Sequence, residues 1–434
     1  MSQRWLLPEQ IEDLLPPFAW QLENEKNRLL GIFRGYGYEL VAPPALEYMD
    51  SLLTGTGKAA DLITFKVVDQ VSGKLMGLRA DITPQVARID AHRLDGQGIR
   101  RLCYSGHVYH AIAGGVGQSR EPFQVGAELY GHAGIDADLE VQAMMVDALQ
   151  ALELEHFVLD LGHVGIFRAL AEGLSVALEQ SLMDALQGKN SPLIEELTAS
   201  CEPVQRDALR ALPSLCGGLE TIERAREMLP ANALIMQGLD DLELAASRLS
   251  TRVSVGIDLS ELRGYDYHTG MVFSVYARGF PGAVARGGRY DSIGAAFGRA
   301  RPATGFSIDL RDLLPVLPAP KPVNKVWLPH AVAANMSGER LAKELGVLRK
   351  AGLVVISELQ STGQVSESSP SGLGEAGAGA GAGAASASLN VNVSMRYNNI
   401  DPDCDFVLLL GPDGLEARPL SDIQEHLTME SDAS

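Results

Sequence analysis

Apolar residues recur at helical spacing near the start of the chain, where Phe18, Leu22, Leu29, Ile32 and Phe33 share one stripe. This pattern predicts a helix over residues 18–33 that packs on a core. Alternating and apolar runs then predict strands over residues 38–41, 64–69, 74–78, 101–109 and 122–130, and a helix over residues 82–94. Ser72 and Gly73 supply turn chemistry between the second and third of these strands, which predicts a hairpin.

The pattern changes in the middle of the chain. A periodic helix is predicted over residues 138–154 and an apolar strand over 157–161, followed by a nearly all-helical stretch from about 165 to 250. Strand patterns return at 252–258 and 271–276, and helices are expected at 291–297 and after Thr304. Because strands and helices do not strictly alternate, the fold class predicted is α+β with an antiparallel sheet rather than a doubly wound parallel one.

The last part of the chain reads as a small separate domain. Pro-rich residues 315–322 are typical of a linker, and the next patterns predict a strand at 325–328, a helix at 338–350 and strands at 354–357 and 406–410. Residues 366–388 are mostly Gly, Ala and Ser, which bury too little apolar surface to stay ordered. The domains expected are a core of 1–164 and 251–318, a helical insertion of 165–250, and a C-terminal α/β domain of 319–434 containing a disordered loop.

Composition narrows the classes of function. The 434 residues carry a formal net charge of −19, which argues against a nucleic-acid partner because phosphate binding needs clustered Lys and Arg. The four cysteines lie apart without metal-ligand spacing, so no metal site or cofactor is expected. We find no signal region and no apolar run of membrane-spanning length, so a cytoplasmic protein without a membrane partner is expected.

Two short runs carry the most chemistry. Residues 262–270 read Leu-Arg-Gly-Tyr-Asp-Tyr-His-Thr-Gly, and residues 287–291 read Gly-Gly-Arg-Tyr-Asp. Arginine makes charge-assisted bonds to a carboxylate, carboxylates hold an ammonium group, and aromatic faces line a slot between them. These runs therefore predict a site for a small zwitterion.

The same runs give the chain a family resemblance. Over roughly residues 4–314 it resembles the catalytic core of a class II aminoacyl-tRNA synthetase, specifically histidyl-tRNA synthetase. Four runs occur in the family's order, at residues 79–83, 123–128, 263–268 and 287–291. The resemblance implies an antiparallel sheet flanked by helices and a histidine pocket. The segment ending at Pro43 resembles the first motif of that class, which builds a dimer interface, so a self-dimer is also implied.

The resemblance assigns individual residues to the pocket. Asp81 matches a Glu that contacts the α-amino group, although it could instead cap the helix that follows. His268 stands where the synthetase usually has a second Tyr. For the Tyr and Gln candidates the alternative is a packing role, which is common for these residues on a strand. The histidine-binding candidates carried over are Asp81, Gln124, Glu128, Arg263, Tyr267, His268 and Tyr290.

The nucleotide side of the pocket departs from the synthetase. The Arg and final Glu of its second motif are replaced by His110 and Ile112, and imidazole cannot offer the bidentate fork of a guanidinium. In its third motif Asp309 replaces a small residue and Asp312 replaces an Arg. Because a carboxylate repels a triphosphate, and loss of one donor to developing charge costs about 10²–10³ in rate, adenylation should be abolished.

A paralogue of the synthetase fits better the combination of a matching amino-acid pocket and an altered nucleotide side. The runs Arg-Gly-Tyr-Asp-Tyr-His-Thr-Gly and Ala-Asp-Ile-Thr-Pro-Gln-Val-Ala-Arg resemble the family of ATP phosphoribosyltransferase regulatory subunits. That resemblance implies a non-catalytic chain in a hetero-oligomer built on its own dimers. It would activate a short catalytic subunit and help transmit histidine feedback in the first step of histidine biosynthesis. The alternatives are an active histidine-tRNA ligase or other ATP-dependent histidine ligase, and an amino-acid sensor with an unrelated partner.

Overall fold

The computed structural model describes residues 5–54, 58–94, 98–115, 118–265, 267–320, 323–359, 404–411 and 414–419. The chain forms two compact units, Met1–Pro320 and Lys321–Ser434. The tract at 366–388, where a disordered loop was expected, lies outside the described residues. Within the described ranges, no helix combines the length and the apolar character needed to cross a membrane.

The first unit contains both helices and strands throughout its length. Its helices are α1 Phe18–Gly35, α2 Met49–Leu52, α3 Lys58–Ile63, α4 Thr83–His92, α5 Ile135–Ala151, α6 Val164–Leu170, α7 Val176–Gln187, α8 Ser191–Leu197, α9 Pro203–Ala211, α10 Glu220–Met228, α11 Ala233–Leu249 and α12 Leu310–Leu313. Its strands are β1 Glu39–Leu40, β2 Leu46–Tyr48, β3 Lys66–Val68, β4 Leu75–Leu78, β5 Arg100–His107, β6 Phe123–Tyr130, β7 Phe157–His163, β8 Cys216–Gly217, β9 Ser254–Asp258, β10 Met271–Ala277, β11 Ala283–Arg289 and β12 Ala303–Asp309.

Nine of these strands form one sheet in the order β1-β5-β6-β12-β11-β10-β7-β9-β8. From β5 to β7 every neighbouring pair is antiparallel, while β1 pairs with β5 and β7 pairs with β9 in parallel. The prediction of an α+β fold with an antiparallel sheet is therefore confirmed. All eight residues of β6 are buried, because the strand has neighbours on both edges and covered faces.

The main core fills the space between this sheet and two long helices. Leu29 and Phe33 of α1 and Met144 of α5 pack in the same buried cluster as Val125 of β6 and Phe306 of β12. The Phe33 and Phe306 rings meet edge to face with centroids 5.6 Å apart. The apolar stripe predicted for the first helix is thus its core face, although Phe18 at its start stays 43% exposed.

The predicted hairpin belongs to a smaller sheet of order β2-β4-β3. Lys66–Val68 pairs antiparallel with Leu75–Leu78, which confirms it. The turn is closed by Asp69, whose carboxylate accepts the N–H groups of Val71 and Ser72 at 3.1 and 3.2 Å.

The second unit has its own small sheet. Its elements are β13 Lys325–Leu328, α13 His330–Ala334, α14 Gly338–Lys350, β14 Val354–Ser357, β15 Phe406–Leu410 and β16 Leu415–Pro419. The strand order is β14-β13-β15-β16, with the first three strands parallel and β16 antiparallel to β15. The strand β16 and the short helix α13 were not expected from the sequence.

Two local expectations near the site need correction, and one strand was not expected. The helix expected at 291–297 is a 3-10 helix, Ile293–Phe297, and it ends at Gly298 in a left-handed conformation with φ of 77°. The residues after Thr304 continue the strand β12, and helix α12 starts at Leu310. The strand β11 lies between β10 and β12 and was missed. Pairing with strands distant in sequence overrides the local pattern in both strands.

Candidate functional site

A cavity of about 590 Å³ lies in the first unit, against the face of the sheet opposite α1 and α5. Residues before α4, on β6, on β11 and β12, and in the loop before β10 line it. The structure brings all the histidine-binding candidates to this one cavity: Asp81, Gln124, Glu128, Arg263, Tyr267, His268 and Tyr290. Segments up to about 200 residues apart in the chain are therefore neighbours here.

The deepest polar group is Glu128 on β6, which is 1% exposed. Its carboxyl group accepts hydrogen bonds from the Thr83 hydroxyl at 2.9 Å and the Tyr104 hydroxyl at 3.1 Å, and from the Tyr290 hydroxyl. Burial raises the pKa of Glu128 to about 8, despite these donors. The group therefore holds its proton near neutral pH and can serve a ligand as donor or acceptor.

Gln124 lies four residues before Glu128 on the same face of β6. Its Oε1 accepts the backbone N–H of Ile82 at 3.1 Å, and its Nε2 lies 3.5 Å from the Ser307 hydroxyl on β12. The side chain thereby ties the central sheet to the start of α4. That contact fixes the backbone next to Asp81 on the cavity wall.

Asp81 lies where the cavity wall meets the start of α4. It lines the cavity, and its Oδ1 also accepts the N–H of Thr83 at 3.3 Å at the start of α4. A carboxylate in this position stabilises the helix N-terminus and is available to an ammonium group at the same time.

The loop before β10 forms the open side of the cavity. Arg263 donates from Nη1 to the Tyr276 hydroxyl at 2.9 Å, and its side chain is 55% exposed. Tyr267 is 40% exposed, and its ring lies beside that of His268 with centroids 4.4 Å apart. These groups can approach a ligand without leaving a buried packing position.

His268 is the buried member of this loop, at 8% exposure. Its Nδ1 lies 3.1 Å from the carbonyl oxygen of Arg263, and burial lowers the pKa of the ring to about 4. The ring is therefore neutral at physiological pH. Because a carbonyl oxygen can only accept, Nδ1 carries the hydrogen and Nε2 is left as an acceptor.

The four positions that the synthetase resemblance assigned to the nucleotide side separate in space. His110 and Asp309 line the cavity, and the His110 Nε2 donates to the Ala80 carbonyl at 2.9 Å. Burial raises the pKa of Asp309. Ile112 is 62% exposed and Asp312 accepts the N–H of Ser119 at 3.4 Å, and neither lines the cavity. Burial raises the pKa of Asp312 to about 6.

Comparison with known proteins shows the family to which the chain belongs. The family model described as histidyl-tRNA synthetase matches residues 10–313. An ATP phosphoribosyltransferase regulatory subunit of Cupriavidus metallidurans is 54% identical over 331 residues, which are 76% of this chain and 86% of the relative. The chain belongs to the family of ATP phosphoribosyltransferase regulatory subunits. Its role in histidine biosynthesis is therefore regulatory and not catalytic.

Solved structures agree with this family and its synthetase-like fold. A Bacillus halodurans protein described as an ATP phosphoribosyltransferase regulatory subunit/histidyl-tRNA synthetase is 26% identical with a TM-score of 0.72, covering 85% of this chain and 95% of that one. A chain of the ATP phosphoribosyl transferase (HisG:HisZ) complex from Thermotoga maritima shares the fold. It is 21% identical with a TM-score of 0.53, over 68% of this chain and 98% of that one.

Several residues of the cavity were not identified from the sequence. Arg286 and Ser307 line it from β11 and β12, and Met183 and Gln187 reach it from α7. The hydroxyls of Thr83 and Tyr104 complete the Glu128 cluster. Thr83 lies inside one of the four runs that carried the resemblance, so its position was a usable signal. Ser307 lies outside those runs, and the local sequence around Met183 and Gln187 offers no signal.

Arg289 of the Gly-Gly-Arg-Tyr-Asp run has a structural role. Its Nε and Nη2 donate to Asp138 of α5 at 3.0 and 2.6 Å, and its guanidinium also bonds the carbonyls of His132 and Gly134 at 3.1 Å. Both side chains of the ion pair are less than 10% exposed. This pair anchors β11 to α5, so Tyr290 leaves the strand in a fixed position.

Proposed function

We propose that this regulatory subunit senses free histidine in the cavity and reports its presence to a short catalytic ATP phosphoribosyltransferase subunit. One observation carries the proposal: a buried neutral acid, a buried neutral imidazole, a wall carboxylate and an exposed arginine face the same cavity. A zwitterion with an imidazole side chain is complementary to that set, since each of its polar groups meets a partner of opposite charge or hydrogen-bonding sense.

In this proposal the ends of the ligand are held by charge. Asp81 receives the α-ammonium group, and Arg263 pairs with the α-carboxylate. The imidazole lies over the floor formed by Glu128, Gln124 and Tyr290. Glu128 bonds one of its ring nitrogens, because the protonated acid can donate to a nitrogen without a hydrogen and its oxygens can accept from a nitrogen that carries one.

Regulation requires that histidine favour one arrangement of the complex. Feedback can be no stronger than the ratio of histidine affinities for the active and inhibited arrangements, and the catalytic subunit must alter histidine affinity by the same factor. We propose activation of the catalytic subunit in the absence of histidine and reversal of that activation when histidine binds.

An ATP-dependent histidine ligase is the second candidate, because the matching family model is described as histidyl-tRNA synthetase. Against it, Asp309 and His110 line the cavity on the side where the synthetase resemblance places a nucleotide. Histidine-dependent exchange between ATP and pyrophosphate separates the two functions, since a ligase must catalyse it and a sensor must not.

The proposal is tested by titrating the full chain into the short catalytic subunit and following phosphoribosyl-ATP formation with and without histidine. Saturable activation at a fixed molar ratio that histidine reverses is the expected result. An absence of activation would reject the partner. Activation that histidine leaves unchanged would reject the sensing role.

We also propose that the chain pairs with a second copy of itself within that hetero-oligomer, in the cytoplasm and without a nucleic-acid partner. Exposed apolar side chains next to the segment that resembles the synthetase's first motif support the self-dimer, namely Leu40, Leu46, Tyr48 and Val68. Light scattering of the chain alone tests the dimer, and a monomeric mass would reject it.

A further inference from the structure

The described residues of the loop 262–269, namely 262–265 and 267–269, are held together by short turns. The N–H of Tyr265 donates to the Leu262 carbonyl at 3.0 Å, and the N–H groups of Tyr267 and His268 donate to the Gly264 carbonyl at 3.0 and 2.8 Å. Turns of this kind are local and open easily, so the loop depends on outside contacts to keep one arrangement. This is the loop that carries Arg263, Tyr267 and His268.

One outside contact is made by Arg168 at the end of α6. Its Nη2 donates to the carbonyl oxygens of both Tyr265 and His268, each at 2.9 Å. Its guanidinium carbon also lies 4.7 Å from the centroid of the Tyr265 ring. A single side chain therefore fixes the loop at two backbone positions on either side of Tyr267.

Further contacts from α6 and α7 hold the same loop. Gln187 donates from Nε2 to the Leu262 carbonyl at 3.0 Å, and Glu179 accepts the hydrogen bond of the Tyr265 hydroxyl. Phe167 packs edge to face on Tyr265 with centroids 5.3 Å apart. All of these residues belong to the helical stretch 165–250, so that stretch supplies a frame for the loop.

Arg168 itself does not line the cavity. We propose that Arg168 is a positioning residue of the histidine site, which holds the loop so that Arg263, Tyr267 and His268 face the ligand. Through this contact the helix α6 is coupled to occupancy of the cavity, and α7 is coupled through Gln187 and Glu179. The identity of the ligand as histidine rests on the proposed function, whereas the contact of Arg168 with the loop does not.

The size of the effect follows from the population of the ordered loop. Removal of a charge-assisted donor to two carbonyls lets the loop sample arrangements that cannot bind, and the apparent affinity falls by the fraction that remains competent. We expect about a tenfold loss of histidine affinity, which matches the usual strength of one such bond. By reciprocity, histidine should slow hydrogen exchange in α6 and α7.

The test compares Arg168→Met with a matched control, Arg224→Met. Arg224 lies in α10 of the same helical stretch, is exposed and donates from Nη2 to a backbone carbonyl, that of Ser214, at 2.7 Å. Histidine affinity of the full chain is measured by calorimetric titration. Hydrogen exchange of peptides covering residues 262–269 is measured without histidine.

Weaker histidine binding and faster loop exchange in Arg168→Met, with neither change in Arg224→Met, would support the proposal. Wild-type affinity and exchange in Arg168→Met, or equal losses in both variants, would overturn it. If the wild-type chain binds no histidine, the proposed ligand is wrong, and the loop exchange still decides whether Arg168 positions the loop.

A milder variant covers the case in which Arg168→Met does not fold. Arg168→Lys keeps the charge but loses the planar donor and its stacking on Tyr265. We expect an intermediate loss of affinity, about threefold, and intermediate loop exchange. Wild-type values for both would overturn the proposal.

Discussion

Gly305 on β12 lies directly opposite Glu128 on β6, and the carboxyl group of Glu128 occupies the space where a side chain at residue 305 would begin. A Cβ atom placed on Gly305 would lie 1.6 Å from Oε2 of Glu128 and 2.6 Å from the Ala127 carbonyl oxygen. The floor of the cavity therefore depends on a residue without a side chain.

We expect Gly305→Ala to destabilise the fold by about 1–3 kcal/mol through overpacking and to displace Glu128, which should weaken histidine binding. Urea unfolding and calorimetric titration measure the two effects. The matched control is Gly31→Ala in α1, where a Cβ meets nothing within 4 Å. That substitution should be neutral or stabilising, because alanine favours a helix. Equal stability of both variants would contradict the role assigned to Gly305.

Glu128→Gln should change how stability depends on pH. The folded-state pKa of Glu128 is raised to about 8 by burial, above the ordinary value of 4.5. The folded protein therefore binds this proton more tightly than the unfolded chain. The stabilisation that this bound proton gives to the folded state is complete below pH 4.5 and is lost as the pH rises through 8.

The amide of Glu128→Gln does not titrate. The free energy of unfolding of this variant relative to wild type should therefore rise between pH 5 and pH 9 by on the order of 3 kcal/mol. Urea unfolding of both proteins at pH 5, 7 and 9 gives this difference directly. A gap that stays constant across the three pH values would show that Glu128 ionises normally in the folded protein.

Arg263→Met should weaken histidine binding at least tenfold, because one charge-assisted bond to a carboxylate contributes about 1.5–3 kcal/mol. Its effect on stability should be small, since the side chain is more than half exposed. Arg206→Met in α9 is the control, as its ion pair with Asp207 lies on the surface. Unchanged histidine affinity in Arg263→Met would remove Arg263 from the site.

Histidine and ATP should affect thermal unfolding differently. A ligand present at a hundred times its Kd stabilises the folded state by about 2.7 kcal/mol, which raises the melting temperature. We expect such a rise with histidine and none with ATP and magnesium, because Asp309 lines the cavity and the synthetase resemblance assigns it to the nucleotide side. A rise with ATP that strengthens in the presence of histidine would favour a ligase.

Arg289→Met should cost about 3–5 kcal/mol of stability by leaving Asp138 buried without its cation. Asp138→Asn on the Arg289→Met background should recover part of that loss, because the uncompensated carboxylate is gone. A double-mutant cycle by urea unfolding measures the coupling. Additive losses would mean that the two side chains stabilise the fold independently.

The sequence predicted the site better than the strands that build it. Asp81, Gln124, Glu128 and Tyr290 lie within runs that resemble a known pocket, so their meeting could be expected before the structure. The strand β11 could not be expected. Its Gly287 and Gly288 disfavour a strand locally, yet a Cβ on Gly287 would lie 2.3 Å from the Gly305 carbonyl oxygen. Close approach of neighbouring strands requires that glycine, and a local pattern does not reveal such an approach.

The contacts that hold the loop could not be predicted from the sequence either. Arg168, Glu179 and Gln187 lie in a stretch whose sequence indicates helices and nothing more, and their contacts with residues 262–268 join positions about 75–100 apart in the chain. The resemblance predicted which loop residues would face a ligand. It gave no information about what holds that loop in place.

The two sides of the cavity differ in how their backbones are hydrogen-bonded, and we expect this difference to determine the rate of ligand exchange. Glu128 and Gln124 lie on a strand bonded to neighbours on both edges, so they can move only when the sheet itself opens. The loop of residues 262–269 can open alone. We therefore expect the floor to determine which molecule binds, and the loop to determine how quickly it enters and leaves, so that slow release is achieved by stiffening the loop without altering selectivity.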